Sequence, residues 1–387
     1  MPSSAKATLS EAIQERCSRP RYARRKEEYK MNHIAKIQSK LSDSGLDAII
    51  VSSERNQRYT VDFPLMDAYI LVAQKHVFLI TDRRYEEAAK GALSGLMEIL
   101  IAAPGEDKAG LLRSAANMCG AVRIGIEEEK LNIGEYEMLQ RELDIALIPA
   151  QVVFRELRSS KTPEEQHYMR QSQAIAEAAL AEVLPLIHPG MTERQVAAEL
   201  IYRMLRHGSD GGEFRPIVVS GERTSLPHGE PTDRVLRAGE FLTMDFGCLK
   251  NGYCSDMTRT VAIGHATEEM RHIYSIVLQA QLAGIAAAKA GVTGREIDSA
   301  ARHVIQEAGY GDFFGHSFGH GIGLEGHEIP GAGSSSLIPL PAGAMISAEP
   351  GIYLPNKFGV RIEDVLIITE TGCNVITKAP KELLIIG

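Results

Sequence analysis

The sequence predicts two domains: an α/β N-terminal domain, then an α+β C-terminal domain built on an internal pseudo-twofold duplication. Three observations carry this. Up to Ile148 short apolar runs alternate with helical patterns. A polar segment, RELRSSKTP from Arg155 to Pro163, then breaks the alternation. Beyond it, helix signals and acidic strand motifs each occur twice, with a period near 100 residues, too long for a solenoid unit. The expected divisions are an N-terminal extension (1–29), an α/β domain (30–154), a linker (155–163) and a C-terminal domain (164–387).

In chain order, a basic stretch containing Arg19, Arg21, Arg24 and Arg25 meets Glu27 and Glu28, which reads as a solvated extension. A helical pattern runs from Glu27 to Leu41 and ends near Gly45. A strand follows from Leu46 to Val51, then a hairpin of Ala68–Val72 and Val77–Thr81. Strands at Glu98–Ala102 and Val122–Ile126 alternate with helices at Lys108–Cys119 and Gly134–Leu143. This domain shows no catalytic constellation of its own. Thr162 followed by Pro163, Glu164 and Glu165 opens the next helix, with a capping residue, proline at the first position and acids in the first turn.

The duplication shows first in helices. GMTERQVAAELIYRMLRHG (Gly190 to Gly208) matches GVTGREIDSAARHVIQEAG (Gly291 to Gly309). Both carry a capping-box start, Thr192 with Gln195 and Thr293 with Glu296. It shows again in strands. AGEFLTMDFG delivers Asp245 and GYCSD delivers Asp256; AGAMISAEPG delivers Glu349 and GVRIE delivers Glu363. Strands are expected at Phe241–Asp245, Tyr253–Val261, Ala344–Ala348 and Gly359–Ile368. On that reading Asp256 shares a face with Thr258 and Thr260, and Arg361 shares one with Glu363. Four carboxylates delivered into apolar surroundings repel one another unless cations sit among them. Hard oxygen ligands on strands suit Mn(II), Co(II), Zn(II) or Mg(II), and an added imidazole shifts the preference toward the transition metals.

The imidazole is offered by GHSFGHGIGLEGHEIPG, a Gly-rich loop holding His316, His320 and His327. His228 lies in a comparable setting, LPHGEP, ahead of the first acidic strand. Gly321 to Gly326 also matches G-x-G-x-x-G. A dinucleotide site needs a strand before that motif and a helix after it, and the flanks here supply neither, so the match is accidental.

Composition excludes several classes. The 387 residues are 44% hydrophobic and 24% charged, which places the chain among globular proteins. A formal net charge of −8 argues against non-specific nucleic-acid binding. No apolar run reaches the length of a membrane span, and the start carries no secretion signal. Five scattered cysteines without CxxC spacing read as reduced thiols in a cytoplasmic protein.

The segments LPHGEP, TMDFG, YCSDMTRT, HSFGHGIGLEGHE, SAEPGIY and GVRIEDV together resemble, in order and spacing, the pita-bread metallopeptidase family. The resemblance is to its bacterial Xaa-Pro aminopeptidase and Xaa-Pro dipeptidase (prolidase) branch. It covers residues from about 30 to 387, with a creatinase-type N-terminal domain. It implies two divalent metal ions per chain, manganese foremost with cobalt or zinc as alternatives. Asp256 and Glu363 would bridge them, Asp245 would complete one ion, and His320 with Glu349 the other. The implied reaction is hydrolysis of the peptide bond preceding proline by a hydroxide held on the metal pair. Glu349 would receive and pass the proton, and His228 and His327 would contact substrate and the tetrahedral intermediate. His316 and Arg361 match accessory positions near the metals. A peptide with proline second is the implied substrate and a homodimer the implied assembly.

Three rival readings remain. Methionine aminopeptidases share the metal site but lack a large N-terminal domain of this kind. A creatinase-like amidohydrolase acting on a small non-peptide amide keeps that domain. A non-catalytic peptide- or histone-binding module would be expected to have lost ligands, and none is lost here.

Overall fold

The computed structural model describes residues 19–387, with only the helical backbone described for residues 19–29. The chain divides into two compact units, the first ending at Leu157 and the second running from Arg158 to Gly387.

The first unit contains α1 (Arg19–Asp43), β1 (Ala48–Val51), α2 (Glu54–Val61), β2 (Tyr69–Ala73), β3 (Val77–Asp82), α3 (Glu86–Leu93) and β4 (Glu98–Ala102). It continues with α4 (Lys108–Cys119), β5 (Arg123–Ile126), α5 (Ile133–Leu143) and β6 (Ala146–Pro149). Its six strands form one sheet in the order β4-β3-β2-β1-β5-β6. The β1–β2 and β2–β3 pairs are antiparallel; the outer pairs β3–β4, β1–β5 and β5–β6 are parallel. Apolar residues of the strands, Ile50, Leu71, Phe78 and Ile124, pack with Leu112 of α4 and Leu139 of α5. Local signals set the helix starts: Asp107 caps α4, and Asn132 with Glu135 forms a capping box on α5.

Sequence periodicity did not find α2. Its buried residues include Asn56, Gln57 and Thr60, so no apolar stripe marks it. Their donors are used internally: Gln57 Nε2 donates to Ala68 O at 2.6 Å and Asn56 Nδ2 to Glu127 Oε1 at 2.5 Å. Two boundaries also differ from expectation. The helix expected to begin at Glu27 begins at Arg19, so part of the presumed extension is helical; residues 1–18 lie outside the described residues. Residues 155–163 are no simple loop, because α6 (Gln151–Ser159) occupies more than half of them.

The second unit opens with α7 (Pro163–Val183), α8 (Glu193–Arg206), β7 (Ile217–Ser220), β8 (Phe241–Phe246), β9 (Leu249–Lys250), β10 (Tyr253–Cys254) and β11 (Met257–Ile263). Next come α9 (Glu268–Ala287), α10 (Gly294–Glu307), β12 (Gly319–Gly321), β13 (Glu328–Ala332) and β14 (Met345–Ala348). It closes with β15 (Gly351–Leu354), β16 (Phe358–Arg361), β17 (Asp364–Ile368), β18 (Cys373–Val375) and β19 (Ile385–Ile386). Two sheets run β19-β11-β8-β7 and β13-β12-β14-β17-β18.

The duplication is visible in packing and in single hydrogen bonds. Helices α7 and α8 share a core with β8 and β11, around Leu200, Leu242, Met244 and Val261. Helices α9 and α10 share the other with β14 and β17, around Val277, Ile305, Ile346 and Leu366. Both expected capping boxes are present, at Thr192/Gln195 and Thr293/Glu296. Gly239 and Gly343 have φ +83° and +84°, a left-handed turn that glycine adopts without penalty. Their amides donate to Ile263 O and Ile368 O, tying the same turn to the last residue of β11 and of β17.

Candidate metal centre

Asp245 lies within β8 and Glu349 directly follows β14, so each half sends one carboxylate from equivalent strands. The other two carboxylates correct the sequence reading. Asp256 is not inside a continuous strand: β10 stops at Cys254 and β11 starts at Met257. Glu363 likewise falls between β16 and β17. The physical reason is that the chain leaves its own ladder at both breaks to bond the other half. Cys254 N donates to Gly323 O at 2.8 Å, and Glu363 N to Thr258 O at 3.1 Å. Each break brings an acid to the junction. The expected His-rich loop is also partly strand: β12 carries His320, and β13 begins just after His327. Contrary to the sequence reading, the G-x-G-x-x-G stretch does follow a strand, β12, but it leads into β13 rather than a helix, so the dinucleotide pattern is still incomplete.

Asp256, His320 and Glu363 each present one potential ligand atom, all within 4.8 Å of one another. His320 Nε2 stands 3.1 Å from Glu349 Oε1 and 3.8 Å from Asp256 Oδ2. Arg361 Nη2 donates to Asp245 Oδ2 at 2.6 Å. Asp256 and Glu363 are 4% and 1% exposed, yet Asp256 Oδ1 and Glu363 Oε1 meet no hydrogen-bond donor among the described residues. A buried carboxylate oxygen without a donor is costly, and a cation removes that cost. Asp256, Glu363 and His320 therefore offer a donor set that fits a hard-to-borderline divalent metal.

Proton affinities follow the same geometry. Burial, then the charge of Asp245, pushes Asp256 well above the usual carboxylate range; burial and the Asp256 charge do the same to Glu363. Asp245 is raised chiefly by burial, against the pull of Arg361. Burial would also raise Glu349, but the hydrogen bond and charge of His320 outweigh it and hold Glu349 at about 2. Burial opposes a charged His320, yet Glu349 and Asp256 lift it to about 9.

The remaining expected residues surround this cluster unevenly. His327 is exposed, and its ring stacks on His320 with centroids 3.7 Å apart. Burial and then the His320 charge lower its proton affinity. His316 is half-buried and bonds Tyr353 Oη through Nε2 at 2.8 Å. His228 is exposed on the loop after β7, and no hydrogen bond ties it to the acidic cluster.

Several further residues complete the arrangement, and of these the sequence reading had named only Thr258, on the face of Asp256. Thr258 Oγ1 donates to Glu363 Oε2 at 2.7 Å and accepts from Arg361 Nε at 3.1 Å. Tyr353 Oη accepts from Arg361 Nη1 at 2.8 Å. Ser347 Oγ donates to Glu349 Oε1 and accepts from His320 N, both at 3.0 Å. Behind the cluster, Arg259 Nη1 reaches Glu363 O at 2.6 Å while Gln281 Nε2 spans Ala348 O and Ile362 O. Period-2 spacing from Asp256 flagged Thr258, and the same spacing from Glu349 could have flagged Ser347; nothing local flags Gln281, which arrives from α9.

Comparison with known proteins agrees with this geometry. Residues 167–370 match Metallopeptidase family M24, and residues 33–160 match the Creatinase/Prolidase N-terminal domain. Among curated proteins, an Xaa-Pro dipeptidase of Pyrococcus horikoshii is 34% identical over 353 residues, covering 91% of this chain and 98% of the relative. The Xaa-Pro dipeptidase of Pyrococcus furiosus is 42% identical over 257 residues, 66% of this chain and 71% of that one. Among solved structures, an Xaa-Pro dipeptidase from Bacillus anthracis superposes with TM-score 0.89 at 40% identity, covering 92% of this chain and all (100%) of the other. An X-Pro aminopeptidase from Thermotoga maritima gives 0.84 at 37%, covering 88% and 98%.

Proposed function

This chain belongs to the M24 metallopeptidase family, with a creatinase/prolidase-type N-terminal domain, and we propose that it is an exopeptidase hydrolysing the bond before proline. The observation that carries the metal-dependent part is the pair of buried, donor-less oxygens on Asp256 and Glu363, two carboxylates gathered with His320. The Xaa-Pro part rests on the relatives named Xaa-Pro dipeptidase and X-Pro aminopeptidase.

In this reading Asp245, Asp256, His320, Glu349 and Glu363 would hold two divalent ions, manganese foremost. Such a pair, when bound, supplies Lewis acidity and a water acidified to near-neutral pH. The chain's own residues do the rest. Glu349, held as an anion beside His320, accepts a proton from the attacking water and returns it to the departing prolyl nitrogen. The His228 and His327 imidazoles donate hydrogen bonds to the carbonyl oxygen as charge develops on it. Arg361 orients Asp245 and opposes the burial that raises its proton affinity, and His316 steadies Arg361 through their common partner Tyr353.

The substrate is a peptide with proline second, and the assembly is a homodimer in the cytoplasm. The described cysteines Cys119, Cys248, Cys254 and Cys373 are all free thiols, which supports a reducing compartment. No helix among the described residues is long and apolar enough to cross a membrane. The deciding experiment is a panel of Xaa-Pro dipeptides, longer Xaa-Pro peptides and small amides, run on metal-replete and chelated protein. Metal-dependent release of the residue before proline is expected. Turnover of small amides with none of any Xaa-Pro peptide would favour the amidohydrolase reading instead.

A further inference from the structure

The loop that carries His228 is closed at both ends by one carboxylate, and from that geometry we propose that Glu193 is a positioning residue that sets the His228 imidazole for the reaction. The inference rests on the role given to His228 above.

Glu193 is the first residue of α8 and has no solvent exposure. Its Oε1 accepts from Ser220 N at 2.8 Å, Ser220 Oγ at 3.0 Å and Arg223 Nε at 3.3 Å. Its Oε2 accepts from Thr232 N at 2.9 Å and Thr232 Oγ1 at 2.7 Å. Ser220 ends β7 and Thr232 lies beyond Pro231, so a single side chain staples the two feet of the loop between them. A buried carboxylate is tolerated only when its lone pairs are fully used, and here five donors meet it, one of them from a guanidinium.

The loop is rigid inside the staple. Arg223 Nη2 also donates to Glu230 O at 2.6 Å, two residues past His228. Leu226 N bonds Arg223 O at 3.0 Å and Gly229 N bonds Leu226 O at 3.1 Å. A Cβ on Gly229 would stand 2.6 Å from Val219 Cγ1, so the backbone beside His228 lies directly against β7. Thr224 Oγ1 accepts from Gly359 N at 2.8 Å, tying the loop to β16, the strand that ends at Arg361. His228 itself stays exposed on this frame. An imidazole on a braced loop loses little freedom on meeting substrate, which is the condition under which a transition-state donor is effective.

The test compares wild type, Glu193→Gln, Thr232→Val, His228→Ala and the Glu193→Gln/His228→Ala double variant. Each is assayed for metal content, thermal midpoint, kcat and KM on an Xaa-Pro dipeptide, and hydrogen exchange over residues 221–231. Glu193→Gln should lower kcat roughly tenfold per folded, metal-replete molecule and accelerate exchange in the loop, with Thr232→Val a weaker version. In the His228→Ala background the same change should cost less than about twofold, because the group it positions is gone. A lowered midpoint with unchanged kcat per folded molecule in both Glu193→Gln and Thr232→Val overturns the inference, as does an additive loss in the double variant. Normal turnover in His228→Ala alone overturns the role of His228 and takes this inference with it. A deep loss in His228→Ala with an intact Glu193→Gln enzyme overturns the inference alone.

Discussion

Asp256 and Glu363 differ from the other acids of the site in having both deep burial and an oxygen without a donor. Asp245 has Arg361 and Glu349 has Ser347 and His320, so those two are partly neutralised by the protein itself. Substituting either Asp256 or Glu363 by Ala should therefore reduce metal content most, seen by elemental analysis of the purified variant; full occupancy with normal turnover would refute the bridging roles. Because both carboxyls hold protons more tightly than usual, metal uptake must displace them. Affinity for Mn(II) should rise with pH, and calorimetry in buffers of different ionisation enthalpy should register proton release. A pH-independent affinity would contradict this. Among the histidines, His320→Ala should lose metal and activity together. His228→Ala and His327→Ala should keep metal while kcat/KM falls about 10²–10³-fold. Near-normal kcat/KM with full metal in the latter two would remove them from the mechanism.

At the scale of elements, β13 begins in a buried charge cluster that no local pattern announces. Glu328 pairs with Lys161 at 2.6 Å and with Arg158, all three almost fully buried. Burial would raise the Glu328 carboxyl, but Lys161 and Arg158 overcome it and hold it below the usual range. A depressed folded-state value means the stabilisation is complete above the unfolded carboxylate pKa and is lost as pH falls toward the folded one. Glu328→Gln should cost about 3–5 kcal/mol at neutral pH, since it leaves buried cations uncompensated. The difference from wild type should narrow below about pH 4. Thermal melts across that range decide it, and a gap that stays constant into acid would show that the charge is not the source. The same cluster explains why RELRSSKTP is more than a polar connector: Arg158 and Lys161 are spent on β13.

For the molecule as a whole, the two halves of the C-terminal unit have separate cores and meet at the acidic cluster. Each contributes carboxylates, so neither half alone holds the site. The dimer proposed above predicts sedimentation as twice the chain mass at micromolar concentration; a fully active monomer would refute it.

The carboxylate identities, the capped helices, the Gly-bounded turns and the duplication itself were legible in the sequence, because each depends on residues close in the chain. A capping box spans one helical turn, and Gly239 and Gly343 announce their left-handed turns locally. The placement of Asp256 and Glu363 was not legible. Their strands read as continuous, and only hydrogen bonds to the opposite half, Cys254 to Gly323 and Glu363 to Thr258, break them. Nor could periodicity reveal α2, whose buried face is polar, or the reach of Gln281 and Glu193 to segments far along the chain. Local backbone preference is written in neighbouring residues. Which distant donor satisfies a buried acceptor is decided only when the halves pack, since until then water serves every one of those groups equally well.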